Sequence, residues 1–383
     1  MRTYMTWIRR HRKTIGINIL LTFAVVGFFI VAPIAGIKIL NSYTHIRGKS
    51  HVSSLLELPN YADIEWAEQY YIDQGQLQYR YSDFVSWSPE QLATPTINID
   101  NYGRRVTHLA TEVGSEDIWI FGGSTVWGLG VNDANTIPSL LADSLQLTTI
   151  NYGVNGYTSR QDLAYLIQTY SDVRKTSSSR HTIVFYGGIN DSLYSCRTDK
   201  SLHATVREAD IQESIDNERL VTSGSVKQIL RPSLTFVDKF MSLLKTSRLG
   251  GLVGFWKPSS ELKNFYRCDS DPEWASQAAQ VLVDNWKTAQ SIVEAHGDRF
   301  ISLLQPVSAI SDTRLDHLPE TLELDKQYQA VYPYIRVHAG NSDLKFHDLS
   351  RVLDRDEYFY IDDAHVTPNG NKYIAQALAD LLS

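Results

Sequence analysis

Three short apolar runs, each closed by glycine, set the architecture open to this chain: "DIWIFGG" (117–123), "LTTINYG" (147–153) and "HTIVFYGG" (181–188). Helix-patterned segments lie between them, "TIPSLLADSL" after the first and the amphipathic "SRQDLAYLIQTYSDV" (159–173) after the second. A long helical pattern over 274–296 leads into a fourth strand, "RFISLLQP" (299–306), and a last helix runs from about 369 to 382. Strands that alternate with helices need right-handed crossovers, and runs with so little polar alternation suit strands covered on both faces. The expected fold is therefore α/β: a three-layer α/β/α sandwich around a central parallel sheet, flavodoxin-like, over residues 115–383. No internal repeat or low-complexity tract competes with it.

The amino-terminal part obeys different rules. Residues 15–37, "IGINILLTFAVVGFFIVAPIAGI", carry no charge over 23 positions, enough helix for roughly 35 Å and so for a hydrocarbon core of about 30 Å. Arg2, Arg9, Arg10, Arg12 and Lys13 precede it, and the positive-inside bias keeps such a tail cytoplasmic. The expectation is a cytoplasmic basic tail (1–14), an uncleaved transmembrane helix (15–37) and an extracytoplasmic remainder, periplasmic in a bacterium. A cleaved signal peptide fits less well, because the run is long and lacks a clean small-x-small site. Residues 38–114 hold no long periodic element and read as a stalk and a strap packed on the main domain.

Charge separates the same two parts. Eight of the 36 Lys and Arg fall in residues 1–50, and all 43 Asp and Glu fall after them, so the remainder carries about −15. A body this acidic repels phosphate backbones, which excludes nucleic acid as the expected partner.

Between the third strand and the long helix, residues 197–271 contain no clear strand and are apolar at helical spacing around Pro232 and Gly250, which suggests a helical insertion or lid. Its Phe255, Trp256 and Phe265 suit either core packing or the wall of an acyl or sugar site. The two cysteines, Cys196 and Cys268, bracket this insertion. In an oxidising compartment they could pair and tie it to its base, and the sequence leaves paired and free thiols equally open.

Ligands of open parallel sheets bind outside the carboxyl ends of the strands. The first strand ends in "FGGSTVWG", which places Ser124 at a glycine-flanked turn into a helix. The second ends in "NYGVNGYTSRQ", offering the amide of Gly156, and the third in "GGIND", offering the side-chain amide of Asn190. Near the carboxyl terminus "IDDAHVTPNGN" supplies Asp362, Asp363 and His365. A serine hydroxyl becomes a nucleophile when a histidine takes its proton and a carboxylate fixes the histidine's tautomer. His365 is the candidate base and Asp362 its orienter, with Asp363 as the competing orienter. The Ser124 and Gly156 amides and Asn190 Nδ2 are candidate donors to a developing oxyanion.

Each residue also has a purely structural use: Ser124 as a helix cap, Gly156 as a turn glycine, Asn190 with Asp191 as an Asx turn. The eleven histidines are scattered, so no metal site is expected around His365, and His347 and Asp348 read as surface or loop residues.

Taken together, these blocks resemble the SGNH or GDSL-type hydrolase superfamily of esterases, lipases and carbohydrate acyl-ester enzymes. The resemblance covers about residues 115–383 and places the family's serine, glycine, asparagine and D-x-x-H on Ser124, Gly156, Asn190, Asp362 and His365. It departs from the family at "GGST", where Gly123 stands in place of the acidic residue of G-D-S. Within the superfamily, "INIDNYGRR", "GGST", "LQP" and "IDDAHVTPNGN" look most like exported proteins linked to cell-surface polysaccharides. The resemblance implies a serine esterase that needs no metal or organic cofactor and acts through an acyl-serine on O-acyl, chiefly O-acetyl, groups of a cell-surface glycan. Its alternatives are a polysaccharide O-acyltransferase, a lipid esterase or thioesterase, and a catalytically idle glycan-binding scaffold.

Overall fold

The computed structural model describes residue 17 and residues 55–108, 116–173, 180–203, 205, 265–318 and 322–383. The basic tail, all but one position of the 15–37 segment, and Phe255 and Trp256 of the insertion lie outside the described residues. Among the described residues no helix is long and apolar enough to cross a membrane.

A 3-10 turn, Pro59–Tyr61, and helix α1 (Ala67–Gln74) open the described chain. Two antiparallel pairs follow, β1 (Tyr79–Ser82) with β2 (Ser86–Pro89) and β3 (Leu92–Ala93) with β4 (Asn98–Ile99). The region expected to lack a long periodic element therefore contains short regular ones. Helix α1 was hidden because Tyr70, Tyr71 and Asp73 carry much of its buried face.

The central sheet begins at β5 (Glu116–Gly122), which runs into the short helix α2 (Ser124–Trp127). Helix α3 (Ile137–Leu145) is started by Thr136, whose side chain accepts from the Ser139 amide, with proline in its first turn. Then come β6 (Thr148–Gly153), α4 (Ser159–Val173), β7 (Arg180–Gly187) and α5 (Ile189–Ser195). After the insertion follow α6 (Pro272–Ala295), β8 (Arg299–Leu304), α7 (Leu322–Gly340), β9 (Phe346–Asp348) and α8 (Pro368–Leu382). All five strands pair parallel in the order β6-β5-β7-β8-β9. Numbered along the sheet's own sequence this is 2-1-3-4-5, the doubly wound order of flavodoxin-like folds.

Period-two alternation distributes the core between two faces. Ile118 and Ile120 of β5, with Val184 and Tyr186 of β7, pack against Ile137 and Leu141 of α3 and Ile374 and Leu378 of α8. Trp119 and Phe121, with Ile183 and Phe185, face α4, α6 and α7. Three layers result, and each fully buried large side chain contributes about 1.5–3 kcal/mol.

Cys196 and Cys268 are bonded to each other. Around the bond the chain leaves and returns as a paired ladder, Thr198 N–H donating to Phe265 O and Arg267 N–H to Cys196 O. Phe265, a candidate acyl-site wall, stands in this neck with Arg197 over its ring.

Candidate active site

Gly122 ends β5 and the chain turns at once into α2, so Ser124 projects from the carboxyl edge of the sheet. The Ser124 Oγ donates to His365 Nε2 at 2.6 Å, across 241 residues of sequence. His365 sits at the tip of a tight loop pinned by Ile361 N–H to His365 O and Thr367 N–H to Phe359 O, just before the Thr367 cap and Pro368 of α8. Its Nδ1–H donates to Asp362 Oδ2 at 2.7 Å. The other carboxylate oxygen, Oδ1, accepts from the amides of Ala364 (2.8 Å) and His365 (2.7 Å), a local turn that fixes the carboxylate's angle.

The alternative orienter is otherwise engaged: Asp363 Oδ2 accepts from the Tyr328 hydroxyl of α7 at 2.8 Å. Burial and the Asp362 charge push the Asp363 carboxyl upward. Asp362 is itself disfavoured by burial, but the imidazole and two amides outweigh that and hold it below the ordinary carboxylate value. Burial lowers His365 as well, yet the Asp362 charge and hydrogen bond prevail and raise the imidazole above its ordinary value.

The proposed oxyanion donors stand at the neighbouring strand ends. Gly156 occupies the third position of a turn closed by Tyr157 N–H to Val154 O, with φ +83°, a conformation that favours glycine. Among the described residues neither the Ser124 nor the Gly156 N–H has an acceptor. Asn190, in the first turn of α5, directs Nδ2 to Tyr157 O at 2.8 Å, which leaves its second N–H uncommitted. The structure thus pairs Ser124 with His365 and His365 with Asp362, and ties Asn190 to the turn that carries Gly156.

The same contact explains the departure at Gly123. A Cβ built there would lie 2.4 Å from Asn190 Nδ2. With glycine at this position the asparagine amide fills the space a side chain would take, and the missing acid leaves room for a donor.

Several supporting residues carried no legible signal. Asp191, read only as a turn residue, accepts from the Ser159 hydroxyl (2.6 Å) and amide, so the third strand end is bolted to the first turn of α4. Its neighbour Asp162 is buried beside it with Oδ1 unpartnered, and burial and the Asp191 charge push its carboxyl far upward. From the amino-terminal segment, Arg105 is fully buried and donates to Trp127 O (3.1 Å), Gly128 O (2.6 Å), Val131 O (2.7 Å), Thr96 O (3.3 Å) and Asp133 Oδ1 (2.8 Å). The Trp127 and Gly128 carbonyls close the helix that begins with Ser124, and Val131 O lies in the turn that follows it. Tyr61 donates to Gly130 O and Gly130 N–H donates to Tyr70 Oη, both at 2.7 Å, gripping the same turn. The only sequence cue was the arginine pair in "INIDNYGRR". His347 and Asp348 lie on the edge strand β9, both exposed, Asp348 paired with Arg336. Among the described residues no group of His, Cys, Asp and Glu is arranged to hold a metal.

A parallel sheet of order 2-1-3-4-5 that presents serine, glycine, asparagine and Asp-x-x-His along its carboxyl edge defines an SGNH-hydrolase-like fold. No protein-family model matches the chain, and no curated protein does. Among solved structures, a lipolytic G-D-S-L family protein from Veillonella parvula is 12% identical over 70% of this chain and 97% of its own, with a TM-score of 0.37. An acetyl xylan esterase, AlAXEase, is 13% identical over 70% and 100%, TM-score 0.37. Est24, a carbohydrate acetylesterase from Sinorhizobium meliloti, is 12% identical over 70% and 98%, TM-score 0.36.

Proposed function

We propose that the chain is a serine ester hydrolase that acts through an acyl-Ser124 intermediate. The observation that carries this reading is the continuous chain of bonds from Asp362 Oδ2 through His365 to Ser124 Oγ. His365 Nε2 takes the hydroxyl proton as Oγ attacks the ester carbonyl, and the imidazolium formed is held by Asp362. The tetrahedral oxygen is met by the Ser124 and Gly156 amides and by the free N–H of Asn190, where each donor is worth roughly 3–4 kcal/mol. Collapse expels the alcohol, protonated by His365. Water, deprotonated by the same nitrogen, then attacks the acyl-enzyme and returns the serine. No step needs a metal or organic cofactor.

The substrate class we propose is an O-acyl, chiefly O-acetyl, ester of a cell-surface glycan. An extracytoplasmic site held by a 15–37 membrane anchor, with the amino terminus in the cytoplasm, suits such a substrate, and the Cys196–Cys268 bond supports an oxidising compartment. A fluorophosphonate probe and p-nitrophenyl acetate test the chemistry on the full chain, alongside Ser124→Ala and His365→Ala. Labelling and turnover that both vanish in the variants are expected. An unaltered protein no more reactive than Ser124→Ala ends the hydrolase reading. A reporter fused after Ser383 that works only in the cytoplasm ends the orientation.

A further inference from the structure

Next to Tyr157, at the end of the turn that carries Gly156, lies a cavity of about 500 Å³ between the β1–β2 hairpin, the 101–104 loop, β6 and α4. It is within the roughly 300–1,000 Å³ of small-ligand sites. One wall is Tyr157, the residue after Gly156, whose carbonyl holds Asn190 and whose hydroxyl donates to Trp87 O. The charge of this cavity runs against that of the protein. The body is acidic, yet the lining holds two guanidinium groups, Arg80 and Arg104, and no carboxylate.

Arg104 is fixed from behind. Asp100 Oδ2 accepts from both its Nε (2.8 Å) and its Nη2 (2.7 Å), an ion pair that leaves Nη1 as the edge open to a ligand, and its guanidinium lies over the Tyr102 and Tyr152 rings. Its Nη1 reaches only as far as the Tyr152 hydroxyl, at 3.5 Å. Arg80 pairs with no carboxylate among the described residues and makes one long contact, 3.4 Å, to Asn101 O. An exposed tyrosine ring, Tyr102, stands at the rim, and Gln168 adds an amide. Planar guanidinium donors beside aromatic faces and neutral polar groups suit a ring that carries both hydroxyls and an anion.

We infer that this cavity is a binding subsite for a carboxylate-bearing sugar unit, a uronate, on the glycan chain whose ester is presented to Ser124. The inference deepens the proposed function by naming the glycan's charge, and it rests on that reading only for the ester. Arg80 and Arg104 take the carboxylate, and Tyr102 packs on the ring.

Binding is measured without turnover. Ser124→Ala protein is titrated calorimetrically with oligogalacturonate, with neutral xylo-oligosaccharide of equal length and with glucose 1-phosphate. Oligogalacturonate is expected to bind tightest, to weaken with salt, and to weaken about tenfold or more when Arg80→Gln is added, the loss of one charge-assisted contact. Tyr102→Ala, at an exposed position, gives a second variant that should also weaken it, and melting curves establish that both variants fold. Equal binding of the neutral oligosaccharide, tighter binding of the sugar phosphate, or indifference to both substitutions overturns the assignment. Unaltered protein is assayed in parallel on p-nitrophenyl acetate, which reports on Ser124 and not on the cavity. Turnover without uronate binding sinks the subsite alone, and uronate binding without turnover sinks only the ester reading.

Discussion

Replacing Asp362 by asparagine tests the proposed chemistry at its most defined point. The Asp362 Oδ1 accepts two backbone amides, Ala364 and His365, and only Oδ2 faces the imidazole. In Asp362→Asn the single carbonyl oxygen keeps those two amides, which turns the side-chain NH2 toward His365 Nδ1. Two donors cannot meet, so Nδ1 becomes the acceptor, the proton moves to Nε2, and Nε2 can no longer take the Ser124 proton. Flipping the amide restores the tautomer but gives up two backbone bonds, about 1 kcal/mol each. The imidazolium also loses its carboxylate. A unit pair at 4 Å is worth between about 1 kcal/mol in water and about 4 kcal/mol near a protein surface. The Asp362 carboxylate is only partly buried, its side chain keeping 41% of its exposure, so screening reduces this to about 2 kcal/mol. The total of about 4 kcal/mol corresponds to roughly a thousandfold loss of kcat/KM. Initial rates on p-nitrophenyl acetate over pH 5–10 are the assay, with Asp363→Asn in parallel. A matching loss in Asp363→Asn, or an Asp362→Asn enzyme within threefold of the unaltered one, refutes the reasoning.

Four further outcomes are expected. Because Asp362 raises the imidazole and only the neutral ring is a base, kcat/KM of the unaltered enzyme should climb through a midpoint above the ordinary 6.5, which stopped-flow pH profiles read directly. Gly123→Asp places a Cβ 2.4 Å from Asn190 Nδ2 and should expel the amide, lowering kcat about a hundredfold at little cost in melting temperature. Asp162 has its carboxyl pKa raised in the fold, so its favourable contribution is complete below the unfolded value and is lost as pH rises; Asp162→Asn should at least match the unaltered protein in urea stability at pH 7, with the difference vanishing near pH 4. Cys196→Ser with Cys268→Ser opens a loop of sequence separation 72 and should cost about 4 kcal/mol in the same urea assay.

The sheet was readable because its inner strands are unbroken apolar runs, and each strand end fell next to a chemically marked residue. Strand β9 escaped because it is three residues at an edge with His347 and Asp348 exposed. Helix α7 escaped for another reason: Pro333 interrupts it, and its buried stripe is carried partly by Tyr328 and Tyr332, whose hydroxyls reach Asp363 and the Gln305 carbonyl. Aromatic rings with a satisfied hydroxyl do the work of leucines but blur the apolar period. The serine, histidine and aspartate were legible from spacing and strand ends. The fit of Asn190 over Gly123 was not, since it depends on how closely two strand ends approach.

The grip of Arg105, Tyr61 and Tyr70 on the turn after Ser124 changes what counts as the smallest working unit. A fragment starting at Glu116 would retain Ser124, Gly156, Asn190, Asp362 and His365, yet it would leave the carbonyls of Trp127, Gly128 and Val131 without their buried donor. The position of Ser124, the proposed nucleophile, therefore depends on chain that comes before the sheet begins, and any shortening or domain transplant has to carry that leading segment along.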